Sequence, residues 1–463
     1  MREGSSDRSS RFEAALFYVL CAIALLAPIP FGSNRLWSWS LLGLAVALVL
    51  ALWAVALAVR PDIRLVLERR FAVPAILVGF VVGFIVVQAA CWTPPAWHNP
   101  AWSLTSVLEA ADLCTSISID RYATMTGLAR LLTYVAAFWL ALQLSGSSRR
   151  AHLFLRWFSM AVALYAAYGL VLYFAGIEYI LWFPKWAYFD FVTSTFVNRN
   201  TFATFAGMGM VCSFALFLDT AVPQDGGGGG LRRFAERIST GGYTQFLCFV
   251  VSLVGLVLSA SRAGFAAACL ALVAVAVLWS IRVGRASGSG LRLGSLGAVL
   301  LGVLLLVAVG GGVLVERLGQ IEQDATSRTL VIGTTFMAIA DRPWLGVGYG
   351  TFPQAWEMLR PSGLPYHYNQ THSTYVENAF ELGIPAALAL YVAVAWLMWL
   401  VFRGVMVRRR DAVLPLASGM ACLVPVIHSA IDFSLQMPAI TLLFSVLLGL
   451  GVRQSMSSRR TGG

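Results

Sequence analysis

Runs of about twenty mostly apolar residues constrain this chain more than any other feature, because that length of α-helix crosses the hydrocarbon core of a bilayer. Twelve such runs occur, near residues 14–32, 37–59, 71–91, 125–145, 152–176, 196–219, 243–260, 264–282, 294–315, 383–403, 412–431 and 435–452. The composition agrees with them. Of 463 residues 59% are hydrophobic and 12% charged, whereas a soluble domain is about half apolar and about a quarter charged. A water-soluble enzyme, a disordered chain and a nucleic-acid binder are disfavoured together. The expected fold is all-α integral membrane, a single polytopic membrane domain over 1–463 with about 12 transmembrane helices. The first run follows Arg2, Arg8 and Arg11 as a signal peptide would, but no small-residue cleavage site follows and a second apolar run comes at once, so it reads as a retained anchor.

An even number of spans puts both termini on one side, and the distribution of arginine says which. Alternate connecting segments (the N-terminus, 60–70, 146–156, 220–242, 282–293, 403–411 and the C-terminus) hold 23 of the 33 basic residues and, with Asp219 at the adjoining end of the sixth run, 9 acids; the other set holds 10 and 13. Basic residues near span ends stay in the cytoplasm, so the first set, with both termini, is expected inside. The net charge of +11 then reports orientation and not an acidic partner.

The cytoplasmic segments carry little chemistry. Asp225 followed by Gly226–Gly230 reads as a flexible linker. A phosphate-cradling loop needs Lys and Ser/Thr after its glycines, and Leu231-Arg232-Arg233 does not supply them. On the outer side two long segments stand out, 92–124 and 316–382. The second, between the ninth and tenth spans, holds an amphipathic stretch from Ser327 to Ala340, a glycine-punctuated turn from Trp344 to Gly350, and a polar, aromatic stretch over 365–378. A loop of that length on a membrane bundle usually carries function or a lid.

Five of the seven cysteines (Cys21, Cys212, Cys248, Cys269, Cys422) fall inside apolar runs, where cysteine serves as a small packing residue. Cys91 and Cys114 fall at the outer face, and the spacing leaves open whether they pair. No metal-ligand spacing occurs, so no metal and no cofactor are expected.

An arginine within a spanning segment costs roughly 2.5–3.5 kcal/mol on insertion scales, so each asks for a partner or a purpose. Arg199 opens the sixth span between Asn198 and Asn200, Arg262 closes the seventh after Ser259 and Ser261, and Arg328 starts the amphipathic stretch. All three fall on the outer side, otherwise poor in basic residues. Each alone can snorkel to lipid phosphate or pair with an acid such as Asp190 or Asp324; three converging on one side point to an anionic ligand. Guanidinium forks match phosphate and diphosphate. At about 4 Å and an effective dielectric near 20, each contact has a Coulomb term of order 4 kcal/mol before desolvation.

Among the histidines, His98 and His152 are uninformative and His367 reads as a solvated loop residue. His372 opens a helical stretch that runs back into the membrane, where a helix N-terminus suits an anionic substrate and an imidazole can take a proton from a hydroxyl. Tyr375 follows on the same helix as a candidate substrate contact. Glu377 and Glu381, four apart, either orient an acceptor or are simply solvated. His428 and Asp432, also four apart, read either as a structural carboxylate–imidazole pair or as ligand contacts.

These segments together resemble the O-antigen ligase/polymerase superfamily of integral membrane glycosyltransferases: Thr195 through Asn200, Ser259 through Gly264, Ser327-Arg328 through the Asp341–Gly350 turn, and Thr371-His372 through Gly383, with His428 through Phe433 similar to a further pattern. The resemblance implies about twelve spans, a large periplasmic loop over 316–382 containing short helices, and a site on the periplasmic face of the bacterial inner membrane. It implies transfer of a glycan from undecaprenyl diphosphate to an acceptor hydroxyl without metal or nucleotide and with inversion at the sugar. By position, Arg262 and Arg328 correspond to the diphosphate-binding arginines and His372 to the residue that activates the acceptor; Arg199, Asn198 and Asn200 correspond less closely. The implied partners are the lipid-linked glycan, lipid A-core or another glycan acceptor, and membrane lipids, with no nucleic acid. Three acceptors stay open: lipid A-core for a ligase, a second lipid-linked repeat for a polymerase, and a protein Ser or Thr for an oligosaccharyltransferase. A transporter would need ionisable residues near span centres and internal repeats, which the sequence does not offer. A scaffold leaves the outer arginines unexplained.

Overall fold

The computed structural model describes residues 2–103, 114–221, 242–287, 321–361 and 367–456. The apolar runs become helices: α1 (Arg2–Leu26), α2 (Leu36–Val59), α3 (Ala72–Ala89), α4 (Arg121–Leu144), α5 (Ser148–Phe174), α6 (Arg199–Ala221), α7 (Tyr243–Leu258) and α8 (Arg262–Ser287). After them come α9 (Ile321–Ile339), α10 (Phe352–Leu359), α11 (Thr374–Leu382), α12 (Ile384–Val407), α13 (Val413–His428) and α14 (Pro438–Ser455). Between α5 and α6 lies a short antiparallel hairpin in which Ile180 pairs with Phe183 and Tyr179 with Pro184.

Local chemistry sets the helix starts. The Asp120 carboxylate accepts a hydrogen bond from the Ala123 amide at 3.0 Å and caps α4. Pro385 and Pro438 sit in the first turns of α12 and α14, where their missing N–H costs nothing. Gly383 joins α11 to α12 at φ +75°, and a Cβ there would stand 2.6 Å from the Trp344 carbonyl oxygen. Only glycine satisfies both the angle and the space.

Among the described residues, eight helical spans are long and apolar enough to cross a membrane: α2, α3 with the turn before it, α4, α5, α6, α8, α12 and α14. α7 and α13 are apolar but only 16 residues each. α1 coincides with most of the first expected run but ends at Leu26, and the chain then turns through Pro28 and Pro30. The eleventh expected run, 412–431, likewise gives a helix that stops at His428, three residues after an internal proline, Pro425. Apolarity continues past that point but the backbone ladder does not. The ninth expected run, 294–315, lies outside the described residues, as do 316–320 and 362–366 of the long loop.

The bundle has an inside and a lipid-facing outside. In α6 and α14, 89% and 83% of the apolar window is buried, against 28% in α2, α3 and α5. α6 packs against α5, α7, α8 and α13, and α14 against α4, α12 and α13. On α2, Leu42, Val46, Val49, Trp53 and Ala56 are buried, while Leu41, Leu44, Leu48, Leu52 and Val55 form a stripe more than half exposed. An uninterrupted apolar stripe of that size on a folded chain belongs against hydrocarbon.

The long loop has a small core of its own. Val331, Ile339, Val347, Phe352, Ala355, Trp356 and Phe380 are buried together, drawing on α9, α10 and α11. The described part of 92–124 is tied to it: Arg342 donates to the His98 carbonyl at 3.0 Å, and Cys91 and Cys114 form a disulfide with Cα atoms 5.3 Å apart. The five remaining cysteines are free and buried.

Candidate active site

Four segments meet at one end of the bundle, and their common neighbour is the stretch from His428, the last residue of α13, to Gln436. From α6, Asn200 donates to the Asp432 carboxylate at 2.7 Å, and the Thr204 hydroxyl lies 2.6 Å from His428 Nδ1 and 2.6 Å from Ser434 Oγ. From the start of α8, a Cβ built on Gly264 would stand 3.3 Å from His428 Cε1 and 2.7 Å from the Ala203 Cβ of α6. From α9, Arg328 lies near enough for its charge to act on His428. From α11, the Thr374 amide donates to the carbonyls of Ser429 and Asp432 at 3.0 and 3.3 Å, and the His372 ring stands edge-on to Phe433 with centroids 5.1 Å apart. Motifs scattered over more than two hundred residues are thus gathered around one buried polar turn.

His372 occupies the residue before the N-cap Ser373 of α11, with φ +60°. A non-glycine residue held in the left-handed region costs of order 1–3 kcal/mol and persists only where its surroundings fix it. Two aromatic rings flank the imidazole, Phe433 on one side and Tyr368 at 6.1 Å on the other. Arg262 is the exposed first residue of α8, preceded by Ala260 at φ +52°. Its helix start is braced by Ser261 Oγ, which accepts from the Gly264 amide at 3.3 Å. Arg328 is half-buried. An exposed guanidinium at one helix start, a second on α9 and an imidazole at another helix start suit an anion that must be held while a neighbouring hydroxyl loses its proton.

The remaining expected contacts are mostly turned inward. Arg199 lies over the Phe191 ring at 4.1 Å and beside Tyr188 at 5.9 Å. Asn198 Oδ1 accepts from the Asn200 amide at 2.7 Å, shaping the start of α6. The Tyr375 hydroxyl donates to the Val426 carbonyl at 2.6 Å and so ties α11 to α13. Of the two readings of His428 and Asp432, a carboxylate–imidazole pair or ligand contacts, the structure does not form the first: no hydrogen bond joins them. The four-residue spacing puts two side chains on one face only within a helix, and α13 ends at His428, so each bonds to α6 instead.

Glu377 and Glu381 are not solvated: both are buried. Glu381 accepts from the Phe352 amide at 2.8 Å and from the amides of Gly350 and Thr351, capping α10. Burial pushes its carboxyl up to about 7 against those hydrogen bonds. Burial, with the Glu381 charge adding to it, also raises Glu377 well above the usual carboxylate range. His367, as expected, is a surface residue, paired with Glu357 at 2.6 Å.

Sequence reasoning missed Gln88, Thr204, Thr371, Ser434 and Gln436. Gln88 is a fully buried amide at the end of α3 that donates to the carbonyls of Leu345 and Glu381 at 2.7 and 2.8 Å and accepts from the Tyr349 amide at 3.2 Å. A lone amide in the apolar sequence Ile85-Val86-Val87-Gln88-Ala89 was the signal for it.

The packing of Gly264 makes a direct prediction. Gly264→Val drives two methyl groups into Ala203 and His428, so about 1–3 kcal/mol of stability is lost. It should lower the thermal unfolding midpoint of the detergent-solubilised protein, and an unchanged midpoint would mean that α8 does not begin against His428.

Residues 247–391 match the family model described as O-Antigen ligase. No curated protein matches the chain. The matched stretch runs from α7 into α12 and contains Arg262, Arg328 and His372; Arg199, His428 and Asp432 fall outside it. Over residues 247–391, the stretch that supplies both arginines and the strained histidine of the site, this multi-pass membrane protein is similar to the O-antigen ligase family.

Proposed function

We propose that the protein transfers a glycan from undecaprenyl diphosphate to an acceptor hydroxyl on the periplasmic face of the inner membrane, with lipid A-core as the acceptor. The observation that carries this reading is that the start of α8 with Arg262, the start of α11 with His372, and Arg328, which lies inside α9 (Ile321–Ile339) and not at its start as the sequence suggested, all border the one turn from His428 to Gln436. In the proposed step His372 takes the proton of the acceptor hydroxyl as its oxygen attacks the anomeric carbon. The bond from that carbon to the phosphate oxygen breaks, and undecaprenyl diphosphate leaves with the charge held by Arg262 and Arg328. Attack from the face opposite the leaving group inverts the anomeric centre.

The orientation follows from the same reading. The site lies on the side of the Cys91–Cys114 disulfide, a bond that persists in oxidising compartments, and the arginine-rich segments with both termini fall on the other side. The long loop over 316–382 is then periplasmic, twelve spans place both termini in the cytoplasm, and the whole chain is one polytopic domain. The described glutamates and histidines of the site serve a transfer that draws its driving force from the lipid diphosphate.

The acceptor is tested by incubating the purified protein with lipid-linked glycan and, separately, lipid A-core, a second lipid-linked repeat and a protein bearing Ser and Thr. Product with lipid A-core is the expected result. Product only with the lipid-linked repeat would make the protein a polymerase, and product only with the protein substrate an oligosaccharyltransferase.

A further inference from the structure

His372 holds a left-handed backbone angle, which persists in a non-glycine residue only where its surroundings fix it. The residue before it is the point of attachment. Thr371 is fully buried; its amide donates to Glu377 Oε2 at 2.7 Å, and its hydroxyl lies 3.2 Å from the same oxygen. The hydroxyl also donates to the Ser373 carbonyl at 2.7 Å and accepts from the Ser373 amide at 3.2 Å, bridging His372 from both sides. The other carboxylate oxygen, Oε1, accepts from the Gln436 side-chain amide. Gln436 closes the short turn Ser434–Gln436, which carries one of the hydroxyls facing His428.

We infer that Glu377, braced by Gln436, is the positioning residue that fixes the His372 turn through Thr371, and that it does not contact the acceptor. The inference rests on the glycan-transfer reading for the consequence of a misplaced His372, but not for the clamp itself. Both carboxylate oxygens are engaged inside the protein and the residue is buried, so its hydrogen-bonding capacity is directed at the protein. The linkage also joins the two halves of the site, since it runs from the turn that sets His372 to the turn that carries Ser434. Its raised carboxyl fits a group whose work is done by hydrogen bonds and not by its charge.

A clamp and a reacting carboxylate respond differently to glutamine. In Glu377→Gln the amide oxygen still accepts from Thr371. The new amide nitrogen donates to Gln436 once that side chain turns its own oxygen inward. An acid–base group or a charge that binds the acceptor would be lost with glutamine as fully as with alanine.

The test uses the full chain in detergent, with lipid-linked glycan and the acceptor found active. Glu377→Ala is expected to lower kcat about 10²-fold, as a displacement of the reacting group near 1 Å does, with the acceptor KM within about threefold. Glu377→Gln is expected to keep kcat within roughly fivefold. Amide exchange over peptides covering 367–376 reads the clamp without any transfer assay: it should accelerate in Glu377→Ala and stay near the parent rate in Glu377→Gln. If Glu377→Ala does not fold, Gln436→Leu removes the brace alone and should shift kcat and exchange in the same direction, by less. Equal loss with glutamine and alanine, or unchanged exchange at Thr371–Ser373 in the alanine variant, overturns the inference. If the parent protein transfers nothing, the transfer reading fails by itself and exchange alone decides the clamp.

Discussion

His372→Asn is expected to leave the protein folded and to lower glycan transfer by about 10²–10⁴-fold, the range that a positioned general base supplies. Asparagine is the substitution of choice because of the backbone. Residue 372 sits at φ +60°, and asparagine enters the left-handed region more readily than other non-glycine residues. The variant therefore removes the imidazole without adding strain. An unfolding midpoint near the parent value together with lost transfer assigns the loss to chemistry. His372→Gly, which relieves the strain outright, should be at least as stable and equally inactive. Transfer retained in both variants would remove His372 from the reaction.

The second large effect belongs to the arginines. Arg262→Ala and Arg328→Ala are each expected to reduce kcat about 10²–10³-fold, as the loss of one group stabilising a developing negative charge does. Arg262→Lys should recover only part of this, since an ammonium offers a point charge where the guanidinium offers a planar fork. The double variant should lose far less than the product of the single losses, because groups acting on one diphosphate act as a unit. Measured on purified protein with lipid-linked glycan, full additivity would place the two arginines on separate ligands. Arg199→Ala should cost less than either, because its guanidinium already lies against Phe191 at 4.1 Å.

What could be read from the sequence follows from which forces act locally. Apolar runs of bilayer length revealed the helices because burial in hydrocarbon depends on composition over about twenty residues, and α2, α4, α5, α12 and α14 lie close to where those runs fall. The ends were less legible. α1 stops before its run does, at a corner where Gly32 fits under the Phe196 ring, and α13 stops at His428 after Pro425. In both cases backbone bonding and tertiary packing decide, and hydropathy is blind to them.

The same division holds in the site. Arg262, Arg328 and His372 were visible because charges at the edge of apolar runs are costly and stand out. The roles of the polar residues around them were not visible, since each depends on a partner far away in sequence. Asn200 finds Asp432, Thr204 finds His428 and Glu377 finds Gln436. Spacing offers His428 and Asp432 either as a pair on one helix face or as ligand contacts, and the end of the helix at His428 removes the pair. Glu377 and Glu381 read from the sequence as either orienting an acceptor or solvated, because four-residue spacing does not show that the amides of Thr371 and of Gly350–Phe352 fold over them.

The central claim is that one site binds a lipid diphosphate and activates an acceptor. Its most direct measurement is the release of undecaprenyl diphosphate from lipid-linked glycan by the purified protein, followed with and without acceptor, in the parent chain and in His372→Asn. The account predicts release that depends on the acceptor, matches the glycan transferred one for one, and disappears in His372→Asn while carrier binding remains. Release at the same rate without acceptor, or undiminished in His372→Asn, would contradict it.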